Sequence, residues 1–300
     1  MSTGFFRGLP AVIAAVTAFG GSAPPARAGS ILHHIHGLAF TSDGKALLVP
    51  AHTGLAVYRN GRWALAPGSA HDFMGFSVAN GAIYTSGHPA PGSSLPNPLG
   101  LMKSTDGGVT WRSSGLMGEA DFHQLAVGYR TNAVYVVNEE PNSRMPQPGL
   151  HYTTDDGKSW KRSAAAGVNS QALSIAVHPG EPGTVALGTL RDGLLLSRDF
   201  GASFRRIGLP APVTAALFDL DGKHLYFVGA DADRLLRVTL DGKLDASPAL
   251  PRLNKDLVIY IAQSPVKRGE LAIATRRKNV FLSPDAGKSW KQVAREGEGR

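Results

Sequence analysis

The residues able to do chemistry in this 300-residue chain are unevenly spread: eight of its ten histidines precede residue 152. Carboxylates stand beside several of them, as in His71-Asp72 and Asp121-Phe122-His123. There is no cysteine, which excludes disulfides, thiolate nucleophiles and thiolate metal sites. Neutral imidazoles with one or two carboxylates form the ligand set of Zn, Mn, Fe or Cu when no thiolate is present. His36, His71 and His123 are therefore the candidate ligands of a divalent transition metal. Asp72, Asp121 or Glu139 would serve as a further ligand or as hydrogen-bond partners of the imidazoles. The chain lacks a Gly-x-Ser-x-Gly elbow, a phosphate loop and a dinucleotide fingerprint, so serine hydrolase, nucleotide and redox-cofactor chemistries have no support.

Distant residues must be brought together by the elements that carry them. The 36 Gly and 20 Pro fall between short apolar runs, the pattern of many strands joined by many turns. Four segments repeat S/T-x-D-x-G-x-S/T-aromatic: Ser104–Trp111, Thr153–Trp160, Ser197–Phe204 and Ser283–Trp290. They start 49, 44 and 86 residues apart, and the last interval is twice 43. Decayed copies fit the same period at Thr239-Leu-Asp241-Gly242 and at Tyr58-Arg-Asn60-Gly61-Arg-Trp63. A period of about 45 residues with four strands in each is the signature of a β-propeller. Six periods fit between residues 29 and 300. The expected fold is all-β, a single six-bladed propeller of four-stranded antiparallel blades.

The repeated segment resembles the Asp-box, or bacterial neuraminidase repeat. Its Asp can accept backbone N–H groups of the turn between the third and fourth strands, its Gly permits a positive φ, and its aromatic packs between blades. The resemblance implies that Asp106, Asp155, Asp199 and Asp285 are structural and lie on the face away from the ligand-binding face.

Alignment of the six periods puts two columns on that opposite face. Just before the innermost strand stand His36, Met74, His123, Ala172, Thr214 and Val258, and two residues earlier His34, Asp72, Asp121, Ser170, Pro212 and Asp256. The end of the second strand supplies His52, His88, Glu139, Leu190, Ala230 and Arg276. Blades 1 to 3 thus carry imidazoles and carboxylates, while blades 4 and 5 carry small or apolar residues. Long proline-rich loops follow the second strands of blades 2 and 3, Gly87–Pro98 and Asn138–Pro148. Loops of this length within a regular repeat are commonly functional. His34, His52, His88, Glu140 and Arg144 complete the expected ligand-binding set, whose ligand would be a small polar molecule or a glycan.

The resemblance extends to sialidases and other glycoside hydrolases, so a catalytic carboxylate pair drawn from Asp72, Asp121 and Glu139 is an alternative. Sialidase activity is not expected. The Arg-Ile-Pro signature is replaced by Arg206-Ile207-Gly208, and no arginine occupies the columns of blades 1 to 3. A second alternative is an envelope assembly scaffold whose partner is a protein.

Residues 1–28 read as a signal peptide: Arg7, an apolar Leu9–Gly21 stretch too short to span a bilayer, and a small-x-small site at Ala26-Arg27-Ala28. Export to the periplasm or beyond follows, with a mature start near Gly29. No later stretch is apolar enough to span a membrane as a helix. The net charge of +8 would become +6 without Arg7 and Arg27. Its scattered basic residues and the exported location argue against nucleic acid as a partner.

Overall fold

The computed structural model describes residues 31–68, 70–208 and 212–300. The expected signal peptide lies outside the described residues. Short apolar runs punctuated by Gly, Pro, Asn and Asp form 25 strands, with no helix among the described residues. Blade 1 contains β1 (Ala39–Phe40), β2 (Leu47–Ala51), β3 (Gly54–Arg59) and β4 (Arg62–Leu65). Blade 2 contains β5 (Asp72–Ala79), β6 (Ala82–His88), β7 (Leu101–Ser104) and β8 (Arg112–Gly115). Blade 3 is β9 (Leu125–Val127), β10 (Val134–Asn138), β11 (Gly149–Thr153) and β12 (Lys161–Arg162). Blade 4 is β13 (Ala172–Val177), β14 (Val185–Thr189), β15 (Leu194–Ser197) and β16 (Arg205–Arg206). Blade 5 is β17 (Val213–Phe218), β18 (His224–Gly229), β19 (Leu236–Thr239) and β20 (Leu244–Ala246). Blade 6 is β21 (Val258–Gln263), β22 (Leu271–Thr275), β23 (Val280–Ser283) and β24 (Lys291–Arg295), with a two-residue addition, β25 (Glu298–Gly299).

Each blade is an antiparallel meander in sequence order. The innermost strands β1, β5, β9, β13, β17 and β21 pack in turn, and β21 returns to β1. The chain is a six-bladed β-propeller. A blade is covered on both faces by its neighbours, so its inner strands read as near-continuous apolar runs; Leu47–Ala51 is buried at every position. Six hydrophobic clusters fill the six spaces between blades. The cluster between blades 6 and 1 combines Leu32, Ile35 and Val49 with Ala272, Val280 and Val293, which closes the ring. Trp63 adds to that closure by donating its indole N–H to Val293 O at 2.7 Å.

Single side chains tie neighbouring inner strands together. Ser77 Oγ accepts from Val127 N, Ser174 Oγ accepts from Ala216 N, and Thr214 donates to Val258 O. Four inner strands, β5, β13, β17 and β21, carry a register shift near their first residues. Such bulges re-aim the side chains before them, here at the mouth of the central channel. In β5 the shift falls at Gly75, whose added Cβ would lie 1.9 Å from Phe122 O, so only glycine allows blades 2 and 3 this approach.

The repeated turns join the third and fourth strands, as expected. In the first, Asp106 accepts from Val109 N (3.1 Å) and Thr110 N (2.9 Å), and from the hydroxyls of Ser104 (2.8 Å) and Thr110 (2.5 Å). The carboxylates of Asp155, Asp199 and Asp285 accept from the two equivalent hydroxyls and from the N–H that corresponds to Thr110 N in their own turns. These donors, led by the Thr110 hydroxyl, hold Asp106 down at about 2; the hydroxyls of Ser197 and Ser203 do the same for Asp199. The decayed copy at Asn60-Gly61 has become a two-residue hairpin turn with φ of 51° and 78°.

Candidate functional site

The channel mouth opposite these turns is built by three kinds of connection: the segment before β1, the β2–β3 turn, and the starts of β5 and β9. Residues 31–38 alternate between anchors and histidines. Leu32 and Ile35 are buried in the cluster between blades 6 and 1, which leaves His33 and His34 exposed and His36 half-buried. His36 N donates to Pro50 O (3.1 Å), fixing the segment against β2. Gly37 lets it pass closely, since an added Cβ would lie 2.6 Å from the Phe76 Cβ. His52 occupies the two-residue turn between β2 and β3.

Three imidazoles meet as a result. One ligand nitrogen from each of His34, His36 and His52 lies within 4.8 Å of the others. The ring centroids are 4.5 Å apart for His34 and His52, 4.8 Å for His36 and His52, and 5.9 Å for His34 and His36. Asp72 Oδ2, at the start of β5, lies 2.6 Å from His52 Nδ1. That contact leaves His52 Nε2 free to face its neighbours, the carboxylate–imidazole arrangement found behind many metal-bound histidines. His36 Nε2 is buried and has no hydrogen-bond partner. Burial pushes His36 down to about 4, helped by His52 and His34 and opposed by Asp72, so its ring is neutral at pH 7.

A second group faces it from blades 2 and 3. Asp121 Oδ2 lies 3.2 Å from His88 Nε2 and 3.5 Å from His123 Nε2. His88 is steadied on its other side by Asn97 Oδ1, 2.8 Å from Nδ1, within the long loop after β6. Asp72 and Asp121 repeat one relationship: each reaches a histidine at the end of the preceding blade's second strand. Each also keeps a buried Oδ1 without a partner. His36 and His123 both line the central channel, a cavity of about 190 Å³ bounded by all six inner strands.

The expected metal set is thus rearranged. His34 and His52 stand with His36, whereas His71 does not join them. His71 precedes Asp72 and points to the opposite side of its strand. It is buried, accepts from Ala90 N at 2.9 Å and meets the Phe73 ring edge-on, so it supports the loop after β6. His123 stays across the mouth with Asp121. Glu139 and Glu140 are exposed, and Glu140 meets Asn138 through its backbone oxygen alone. Arg144 turns outward, donating to Gly157 O and packing against Gly115. The loop after β10 is stiff, as its prolines suggest: Met145 is fully buried, and Asn142 Oδ1 accepts from Arg144 N and Met145 N. Sequence reasoning missed Asn97 and the channel-lining Gln124, whose Nε2 donates to Ala172 O while its buried Oε1 is unpartnered. The only signal for Gln124 was its place after the aligned His123, and for Asn97 its place in the long loop that follows His88.

A third polar group, Asp219, Asp221 and His224, lies on the face of the repeated turns. Arg237 already fills it, with Nη2 2.7 Å from Asp219 Oδ2 and 2.8 Å from Asp221 Oδ2. A guanidinium takes the place that a cation would need.

Fold and site together define a six-bladed β-propeller with a histidine- and carboxylate-lined channel mouth. No protein-family model matches the chain, and no curated protein does. Among solved structures it is similar to the GH74 enzyme of Niastella koreensis, at 17% identity and a TM-score of 0.56 over 86% of this chain and 45% of that one. It is likewise similar to the GH74 xyloglucanase of Xanthomonas campestris, at 16% identity and a TM-score of 0.54 over 88% of this chain and 46% of that one. The chain spans about half the length of these enzymes, and at such identity the likeness is one of fold. A YCF48 structure with a bound D1 peptide matches at 14% identity and a TM-score of 0.49 over 86% of this chain and 81% of that one. Among the described residues no helix is long and apolar enough to cross a membrane.

Proposed function

We propose that this chain is an Asp-box β-propeller that binds a divalent transition metal, and through it a polar ligand, at the channel mouth of blades 1 to 3. One observation carries the reading: three imidazoles from two connections of blade 1 converge within 4.8 Å, and the buried Nε2 of His36 has no partner. An unpaired polar atom in such a place costs roughly 1–3 kcal/mol unless something is bound to it. A tetrahedral ion with Zn–N bonds of 2.0–2.1 Å sets its nitrogens roughly 3.3 Å apart, a small side-chain rotation from the arrangement seen. Three neutral imidazoles suit Zn, Cu, Ni or Fe and leave a coordination position for a ligand. Asp72 would hold His52 in orientation. His123, backed by Asp121, would hold or pass a proton at the bound ligand.

Equilibrium dialysis against Zn²⁺ and Co²⁺ tests the reading. One equivalent per wild-type chain and none retained by His36→Ala supports it; no uptake by wild type removes it.

The turn hydrogen bonds around Asp106, Asp155, Asp199 and Asp285 support the Asp-box assignment. The glycoside hydrolase alternative rests on the buried, unpartnered Oδ1 atoms of Asp72 and Asp121. Its test is assay on a glycan panel with each changed to Asn. Activity lost in both variants would favour a catalytic pair, and activity surviving both would end that reading. Export rests on residues 1–28, and N-terminal sequencing of the mature protein checks it: a start near Gly29 is expected, and retention of Met1 would contradict it.

A further inference from the structure

The rim of blade 6 adjoins the histidine segment directly. Gly297 N donates to Lys278 O (3.0 Å), and Leu32 N donates to Gly297 O (3.0 Å). Two backbone bonds therefore link the β22–β23 turn, the β24–β25 turn and the segment before β1 that carries His33, His34 and His36. The first of these turns is Arg276-Arg277-Lys278. The connection before β21 brings Arg252 and Lys255 to the same end of the blade, and Arg295 ends β24 there. Among the described residues none of these six side chains has an ion-pair or hydrogen-bond partner.

The carboxylates at this end are Asp256, Glu296 and Glu298. Asp256 is buried and already accepts from Leu257 N, Arg277 N and Asn279 Nδ2. Six cations against three carboxylates leave the rim net positive. The turns that carry these residues hold Asn254, Lys255 and Lys278 at φ of 51°, 64° and 63°, as turns elsewhere in the ring hold Asp156, Phe200 and Ala286.

We infer that the ligand of this site is a small molecule bearing an oxyanion, with one oxygen directed to the metal and the remaining charge held by Arg276, Arg277 and Lys278. The inference rests on the metal reading above for its first contact and on the blade 6 rim for its second. A planar guanidinium offers an oxyanion paired, charge-assisted bonds that a neutral sugar hydroxyl does not match. Asp72 behind His52, and Asp121 beside His88 and His123, put carboxylates on the side of blades 2 and 3, so the anion would be drawn toward blade 6.

The test uses the full mature chain loaded with Co²⁺, and inorganic phosphate and acetate as probes. The variant is Arg276→Ser, Arg277→Ser, Lys278→Asn, in which asparagine tolerates the left-handed backbone at 278. Wild type should bind phosphate with a change in its visible cobalt spectrum, and binding should weaken as salt is raised. The triple variant should retain its cobalt and bind phosphate at least about tenfold more weakly. Weaker binding of both probes assigns the rim to oxyanions in general, and of phosphate alone to phosphates. Equal phosphate affinity in wild type and variant overturns the inference. Failure of wild type to take up cobalt overturns the metal reading instead. In that case a tenfold phosphate difference between the metal-free proteins still supports the rim as an anion site, and no difference overturns both.

Discussion

Two sets of acidic and polar groups lie at opposite ends of the same blades, and they are finished to different degrees. At the repeated turns Asp106, Asp155 and Asp199 are exposed and Asp285 half-buried, and the oxygens of each are taken up by hydroxyls and a backbone N–H of its own turn. At the channel mouth, His36 Nε2, Asp72 Oδ1 and Asp121 Oδ1 are buried and unpartnered. The turns therefore gain stability from groups that need nothing further. The mouth holds polar atoms whose burial costs stability until a partner arrives. Sequence repetition follows structural need, since a satisfied turn can be copied from blade to blade. At the channel mouth the imidazoles come from blades 1 to 3, as His34, His36, His52, His88 and His123.

Substitutions at the two ends should separate binding from stability. The largest effect is expected for His36→Ala, which should weaken metal affinity by more than the roughly 10–100-fold that follows loss of a ligand's own supporting partner. Its melting temperature without metal should not fall, because an unpaired buried atom is removed. Asp72→Asn should weaken metal binding within that 10–100-fold range, measured by competition with a chromophoric chelator. His71→Ala sharpens the contrast from inside the same region. Loss of the acceptor for Ala90 N should cost about 1–3 kcal/mol, a fall of several degrees in Tm, with metal affinity unchanged.

The smallest effect is expected at the turns. Asp106 and Asp199 are held at about 2 when folded, below the ordinary carboxylate value near 3.8. Their contribution is full above about pH 4 and is lost as pH falls toward 2. The Tm of wild type should therefore drop more steeply between pH 4 and pH 2 than that of Asp106→Asn, while the two bind metal equally near neutrality. A change in metal affinity on Asp106→Asn, or none on His36→Ala, would break the comparison.

Much of this was legible in the residues. The period near 45 gave the blade count because each of the four complete repeated turns requires the same hydroxyls, Asp and Gly. The two aligned columns located the polar face, because topology alone puts the start of an inner strand and the end of the second strand at one end of a blade. Side-chain direction was not legible. His71 and Asp72 are neighbours, and strand alternation sends one to the loop after β6 and the other to the channel. The bulges at the starts of the inner strands shift that alternation, and nothing in residue type marks them except Gly75. Arg144 looked like a ligand-binding arginine within a long loop, yet the buried Met145 beside it fixes the loop so that the guanidinium reaches Gly157 O.

The central claim is that His34, His36 and His52 hold one ion. Anomalous diffraction from crystals of the protein grown with Zn²⁺ and measured at the zinc edge tests it most directly. The account predicts a peak roughly 2.0–2.2 Å from one nitrogen of each of these three histidines. A protein that binds zinc with its strongest peak elsewhere, or with no peak among these imidazoles, would contradict it.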